Sequence, residues 1–493
     1  MNTKPQIHVV WLKRDLRLHD NEAIYNALKS GMRILLLYSF EPLLLQDPHY
    51  SERHWNFIQE SIVDLNNELK AHNTKVLAVQ SDIIPLFNQL LTRFQITKVF
   101  SHQETGILVT YERDKNFKRF CKNNFIIWEE NINNGVQRGL KNRDGWNEIV
   151  DAFYAIEPLP FSPKPDQFVS IDDIEALEKN FNLPDLETPK TSTFQKGGRS
   201  TGLRYLESFL EERYPNYMLH ISKPELARTS CSRISPYLAW GNLSVREVYH
   251  QAYHLKKSSK HKKALEAFMS RLRWQTHFIQ KFEMEHTMEE ASVNRGFHKL
   301  KKSVSKQYQI AWKTGQTGYP LVDACMRCLT ETGYLNFRMR AMLVSFFTHN
   351  LWQPWQEATT HLSQMFLDFE PGIHFPQLQM QAGETGVNML RIYNPIKNSL
   401  EHDPEASFIK KWVLELRHLD TPFAHQPYLM TEMEQQFYNF KLGKDYPKPI
   451  VDLEISRKKA GDALWKLRKD KTVLAESQRI LRKHTLRNRF QKS

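Results

Sequence analysis

The sequence predicts two dissimilar units: an α/β N-terminal domain built on a doubly wound parallel sheet, joined by a long linker to an all-α domain. Three observations carry this. Short β-rich apolar runs alternate with helical stretches through the first 135 residues, prolines crowd a polar stretch at 136–196, and the helical period dominates at 197–440. The remainder, 441–493, reads as a basic C-terminal extension. At 493 residues the chain has room for two or three domains of the usual ~100–200 residues.

In order, the runs IHVVWL (7–12), ILLLYSF (34–40), KVLAVQ (75–80), KVFSHQ (98–103) and FIIWEE (125–130) are strand candidates. Helical stretches near 21–29, 53–71, 83–94 and 107–122 separate them, which is the βαβ rhythm of a parallel sheet. No GxGxxG follows the first strand, so no dinucleotide fingerprint is present. The strand runs instead into KRDLRLHDN (13–21), whose charges either line a ligand crevice at the strand's carboxyl end or form a solvated loop. Pro158, Pro160, Pro163, Pro165, Pro184 and Pro189 mark the linker as a connector draped over a surface. From KGGRSTGLRYLESFLEERY onward, glycines and prolines punctuate helices.

The formal charge is +13, but Arg457–Ser493 holds 13 Lys/Arg against 3 Asp/Glu, so most of the excess lies in the tail. Such a tail is either solvated or attracts nucleic acid, and the spacing of Leu464, Leu467, Leu474, Ile480 and Leu481 is too loose to predict docking. Four scattered cysteines and no secretory signal predict a reduced, cytoplasmic setting. No run of about 18 apolar residues occurs, so no membrane span is expected. Cys325 and Cys328 have no second Cys or His pair nearby, and no metal site is expected.

The most informative stretch is Gly318–Pro395. Leu321, Val322, Cys325, Cys328 and Leu329 recur at helical spacing, as do Leu335, Met339, Met342, Leu343 and Phe346. Arg338 and Arg340 fall in or beside the second stripe, and a buried guanidinium needs an anionic or hydrogen-bonding partner. Asp368 and Glu370 are candidates, as is a bound anionic cofactor.

VVWLKRDLRLHDN, GGRSTGLRYLESFL, SRISPYLAWGNLSVREVY, RLRWQTHF, TGYPLVDACMRCLTETGY, LDFEP and RIYNP, in that order, resemble the DNA photolyase and cryptochrome family up to about residue 430. The resemblance implies that the helical domain binds FAD and faces damaged DNA. It also leaves room in the N-terminal domain for an antenna chromophore of the folate or deazaflavin type. Ser232, Arg233, Ile234 and Ser235 match the segment that cradles the FAD phosphates, and Tyr217 matches a tyrosine lying against the cofactor. Arg340 and Asp368 match an ion pair beside the flavin, Glu370 takes the place of a second carboxylate, and His374 stands where the family faces the flavin's reactive nitrogen. Trp274 matches the tryptophan lining the lesion pocket, where an extruded base needs an aromatic wall. Arg391 and Lys397 fall near the implied DNA face.

The sequence also departs from the family pattern. Trp355 matches the middle member of a three-tryptophan electron route, but Leu378 replaces the flavin-proximal one, Met380 stands where another family tryptophan would be and Lys302 takes the outermost place, which leaves Trp352, a tyrosine or an external reductant as the electron source. Arg271 stands where dimer-repairing members carry a glutamate, and can stack on a base or bind phosphate. Asn336, Phe337 and Arg338 occupy the place of the histidine pair of (6-4) enzymes, and Asn336 can still reach a base edge. The resemblance therefore implies a monomeric deoxyribodipyrimidine photolyase-type lyase acting on ultraviolet-damaged DNA. Its alternatives are a (6-4) photolyase or a cryptochrome photoreceptor without repair activity. Without the resemblance, the chain reads as a nucleotide-binding protein with a nucleic-acid-attracting tail.

Overall fold

A computed structural model describes residues 4–184 and 193–485; Pro189 and the last eight residues of the basic tail lie outside the described residues. Five strands, β1 (Gln6–Leu12), β2 (Ile34–Ser39), β3 (Leu77–Val79), β4 (Gln95–His102) and β5 (Ile127–Asn131), form one parallel sheet in the order β3-β2-β1-β4-β5. The central strands are hydrophobic on both faces because helices cover both. Ile7, Val9, Trp11, Leu35 and Leu37 pack on one side with Phe87 and Phe117. Val10, Leu12 and Leu36 turn to the other side and join a core continuous with the helical domain, through Phe57, Tyr237 and Trp240 to Phe347 and Trp355.

The KRDLRLHDN loop is mostly buried and not solvated, and its first residues, Lys13 and Arg14, line a crevice. It clasps the helical domain. Leu16 N–H donates to the Trp240 carbonyl at 3.2 Å, Arg17 Nη1 to the Gly241 carbonyl at 3.0 Å, and Asn242 Nδ2 to the Leu16 carbonyl at 3.2 Å. Asp20 is 3 % exposed and takes the Arg246 guanidinium and the Ser244 hydroxyl. Gly241 sits at φ +75, and a Cβ there would meet the Arg14 carbonyl oxygen at 2.3 Å, so the close approach of the two domains requires glycine. Two motifs of the sequence meet beside this clasp. Ser244 and Glu247 close a capping box on the Val245–Ser258 helix, and Glu247 also receives Arg199 of the GGRST segment at 2.7 and 2.8 Å.

The connector is more structured than its prolines predict. It contains the helices Trp146–Ala155 and Ile171–Glu178, which bury Trp146, Val150, Tyr154, Ile174 and Leu177. Phe168 bridges Ile34 at the start of β2. Prolines break the chain between these elements without preventing either from packing.

The tail also differs from its sequence reading, because it docks. Helices Leu453–Arg468 and Lys471–His484 carry Leu464, Val473 and Ile480 into the interior, with Leu464 and Val473 against Phe297. Asp470 caps the second helix through Thr472 N–H, so the apolar residues belong to two short stripes, not one loose stripe. Glu285 anchors the second helix. Its carboxylate meets Arg479 at 2.8 Å and His484 at 2.9 Å. Burial alone would raise the Glu285 pKa, but the bonds from His484 and Arg479 and the charge of Lys483 pull it from its ordinary 4.5 to about 2. Burial pushes His484 from 6.5 to about 4, against the pull of Glu285. Both groups bind fewer protons in the fold than in the unfolded chain, so both favour docking at neutral pH and lose that contribution on acidification. The protection of the Lys471–His484 amides, taken relative to the intrinsic exchange rate at each pH, is expected to fall as pH drops from about 6.5 through 4 and further towards 2. Protection that stays constant down to pH ~4 would contradict this account of the anchor.

Candidate active site and cofactor bed

Residues 320–381 build the floor of the site. The helix Pro320–Thr332 ends at Gly333 in the left-handed conformation, and Asn336 stands at the N-cap position of the helix Phe337–Ser345 without a side-chain cap bond. Arg340, one turn into that helix, forms a two-pronged pair with Asp368, at 2.9 Å from Nη1 to Oδ1 and 2.8 Å from Nη2 to Oδ2. Its Nε donates to the Leu335 carbonyl at 2.8 Å. Burial would raise the Asp368 pKa, yet the Arg340 charge and hydrogen bonds from Arg340 and Ser235 hold it below the ordinary carboxylate value. Ser235, from the SRIS segment, thus meets the same carboxylate as Arg340.

Glu370 is placed differently. It caps the Pro371–Gln381 helix by accepting from Gly372 N–H, and its other oxygen stands 3.6 Å from Arg14 of the N-terminal domain. Arg14 itself lies over the Trp240 ring at 4.4 Å and donates to the Phe369 carbonyl. Glu370 therefore contributes to the contact between the domains. Burial raises its pKa in spite of Arg14.

His374 is pushed down to about 3, by burial first and by His49 next, so its imidazole is neutral. Nε2 lies 3.1 Å from the Thr359 carbonyl, which can only accept. The proton therefore sits on Nε2, and Nδ1 is an acceptor.

Arg233 is held at φ +60, an unusual conformation for a side-chain-bearing residue. Its guanidinium lies 3.8 Å from the Tyr334 ring centroid and donates to Gln195 Oε1 at 2.9 Å. Arg228 is close by and donates to Cys328 Sγ, Thr332 Oγ1 and the Tyr334 carbonyl. Burial and the neighbouring Arg228 both lower the Arg233 pKa. Buried nitrogen Nε of Arg233, Nε of Arg338 and the Asn336 Oδ1 oxygen have no hydrogen-bond partner among the described residues. Two adjacent guanidiniums bonded, among the described residues, to neutral groups alone, beside orphaned polar atoms, form a donor set suited to an anion such as a pyrophosphate. Gln195 and Tyr334 were not legible as site residues because they meet the SRIS segment only through the fold, whereas Arg228 stands four residues before Ser232 in the chain.

Tyr217 is buried, hydrogen-bonded to Arg271, and its pKa is raised chiefly by burial. Arg271 and Trp274 sit one turn apart on the Lys262–Met284 helix. Trp274 is 48 % exposed, stacked on Phe278 at 5.7 Å and 29°. Asn336 donates to the Ile221 carbonyl at 2.9 Å. Arg391 and Lys397 are exposed, and Lys397 approaches Glu401 at 3.6 Å.

On the other side of the floor Trp355 is fully buried. Its indole N–H donates to Ser292 Oγ at 3.0 Å, and Ser292 donates to Glu384 at 2.6 Å. Lys302 completes the string with a 3.1 Å pair to Glu384, at side-chain exposures of 2 % and 7 %. Its ammonium also lies 5.0 Å from the Trp352 ring centroid. Trp352 packs in the cluster where the tail docks. The position expected to carry an outer tryptophan thus holds a buried ion pair.

A family model described as the FAD binding domain of DNA photolyase matches residues 268–466, and one described as DNA photolyase matches residues 8–132. Together they span well over half of the sequence. The chain belongs to the DNA photolyase and cryptochrome family. Among curated relatives, a deoxyribodipyrimidine photo-lyase from Alkalihalophilus pseudofirmus is 26% identical over 482 residues, covering 93% of this chain and 98% of that protein. A cryptochrome DASH from Synechocystis sp. is 26% identical over 497 residues, covering 92% and 97%. In fold, the chain is similar to the crystal structure of a Synechocystis cryptochrome, with a TM-score of 0.86 at 22% identity over 94% of this chain and 100% of that one. The family's FAD-binding domain makes FAD the cofactor, and the Arg228 and Arg233 guanidiniums, with Arg233 Nε unpartnered among the described residues, fit its phosphates.

Proposed function

We propose that this photolyase and cryptochrome family member is a light-driven DNA-repair flavoprotein that splits ultraviolet-induced pyrimidine dimers. The observation that carries this reading is Trp274, a large aromatic left half exposed on a rigid helix and backed by Phe278. A flipped base needs such a stacking wall. Arg271 stands beside it and is hydrogen-bonded to Tyr217, which ties the wall to the cofactor side of the site.

FAD, when bound, supplies the photochemical electron. The protein's own residues position and tune. Ser232, Arg233, Ile234 and Ser235 would hold the phosphates with Arg228, and Tyr217 would lie against the cofactor. Arg340 and Asp368 place a fixed charge pair, and neutral His374 offers an Nδ1 acceptor. Asn336 and Arg271 would reach the lesion's edge or phosphate, and Arg391 and Lys397 the backbone of ultraviolet-damaged DNA. Trp355 and Trp352 would serve as electron-transfer residues. An antenna chromophore of the folate or deazaflavin type would take the crevice at the sheet's carboxyl edge, whose polar wall includes Lys13, His102, Asn133 and Asn134.

The test is to illuminate reduced protein with blue light in the presence of defined oligonucleotides, single- and double-stranded, carrying a cyclobutane dimer or a (6-4) photoproduct. Light-dependent restoration of the cyclobutane dimer is expected. Restoration of the (6-4) lesion alone would reassign the substrate, and restoration of neither would remove the repair claim. In that case the cryptochrome reading would stand, and it has one observation of its own: the docked tail shares a cluster with Trp352.

A further inference from the structure

Glu157, His250 and His254 lie outside everything assigned above. His250 and His254 are one turn apart on the Val245–Ser258 helix, with ring centroids 6.0 Å apart. Glu157 follows the Trp146–Ala155 helix of the connector, which packs against that helix. One ligand atom from each of the three residues lies within 4.8 Å of the other two.

The hydrogen bonding of His250 decides what this cluster can hold. Its Nε2 lies 2.9 Å from the Tyr154 carbonyl, which can only accept, so Nε2 carries the proton. In the neutral ring Nδ1 is then a bare lone pair. That nitrogen is buried and has no hydrogen-bond partner among the described residues, yet the Glu157 Oε2 oxygen stands 3.4 Å away. Two acceptors thus face one another. Zinc takes imidazole nitrogen and carboxylate oxygen at about 2.0–2.2 Å in a tetrahedron, whose edge is therefore roughly 3.3–3.6 Å. The Glu157 to His250 separation already matches that edge. An imidazole whose second nitrogen donates to a backbone carbonyl is also the usual outer arrangement of a metal-bound histidine.

We propose that Glu157, His250 and His254 form a three-donor site for a zinc-class divalent cation, with water at the fourth position. Imidazole donors favour zinc, copper and nickel over magnesium and calcium. The bound ion would fasten the connector to the helical domain.

The full-length protein as purified, stripped of metal with a chelator, is titrated calorimetrically with ZnCl2 beside His254→Ala and Glu157→Gln. Both substituted side chains are exposed, so neither variant opens a cavity in the core. One zinc equivalent is expected in the parent, bound at least tenfold more weakly in each variant. A zinc-dependent rise in Tm is expected in the parent and not in His254→Ala, and magnesium should produce none. Equal zinc affinity in parent and variants would assign binding to other histidines and overturn the site. Absence of binding would overturn it too.

Discussion

Lys302→Met is expected to cost the fold about 3–5 kcal/mol, because it strands the Glu384 carboxylate in the interior. The pair is almost fully enclosed, and Ser292 is the other group that supports Glu384. The double variant Lys302→Met with Glu384→Leu should recover most of the loss, since a buried pair exchanged for apolar side chains is often close to neutral. Denaturant midpoints of the parent and the two variants measure this directly. A loss below about 1 kcal/mol for Lys302→Met, the size of a surface pair, would mean that water reaches Glu384. The same variant probes Trp355, whose indole proton leads through Ser292 to that carboxylate.

The second large effect is expected at Trp274. Trp274→Ala should weaken binding of dimer-containing DNA by about 1–3 kcal/mol, roughly fivefold to 150-fold in Kd. Trp274→Phe should retain much of the affinity because a stacking face remains. Binding to undamaged duplex, dominated by phosphate contacts, should change little in either variant. Equal weakening on damaged and undamaged DNA would place Trp274 on the backbone-contacting surface and not in a lesion pocket. The ring is half exposed, so its removal opens no core cavity, and a melting curve for each variant controls for folding defects.

The sheet and the helical domain were legible because their signals are local. Apolar runs of strand length fixed the five strands, and stripes such as Leu321 to Leu329 marked helices whose residues are indeed buried. What was not legible depends on partners distant in sequence. Asp20 could not be assigned to Arg246 from 226 residues away, nor Glu370 to Arg14, because charge alone does not reveal who neutralises it. The tail hid its docking by splitting its apolar residues across two helices at Asp470. Lys302 read as a missing tryptophan, and only the fold shows Glu384 as its counterion. Arg340 and Asp368 form the opposite case: a guanidinium inside an apolar stripe demands an anion, and Asp368 sits 2.8 Å away.

The core that runs from Val10 and Leu36 of the sheet through Trp240 to Trp355 has a consequence for motion. Domains joined only by a linker can open like a book, and many enzymes admit large cofactors that way. Here the facing surfaces share one packed interior and the Arg17, Asp20 and Arg246 clasp, so a hinge would have to tear apolar contacts along its whole length. Entry and exit of a dinucleotide must instead proceed by loosening of local segments, which makes residence of the cofactor a matter of local unfolding and not of domain opening.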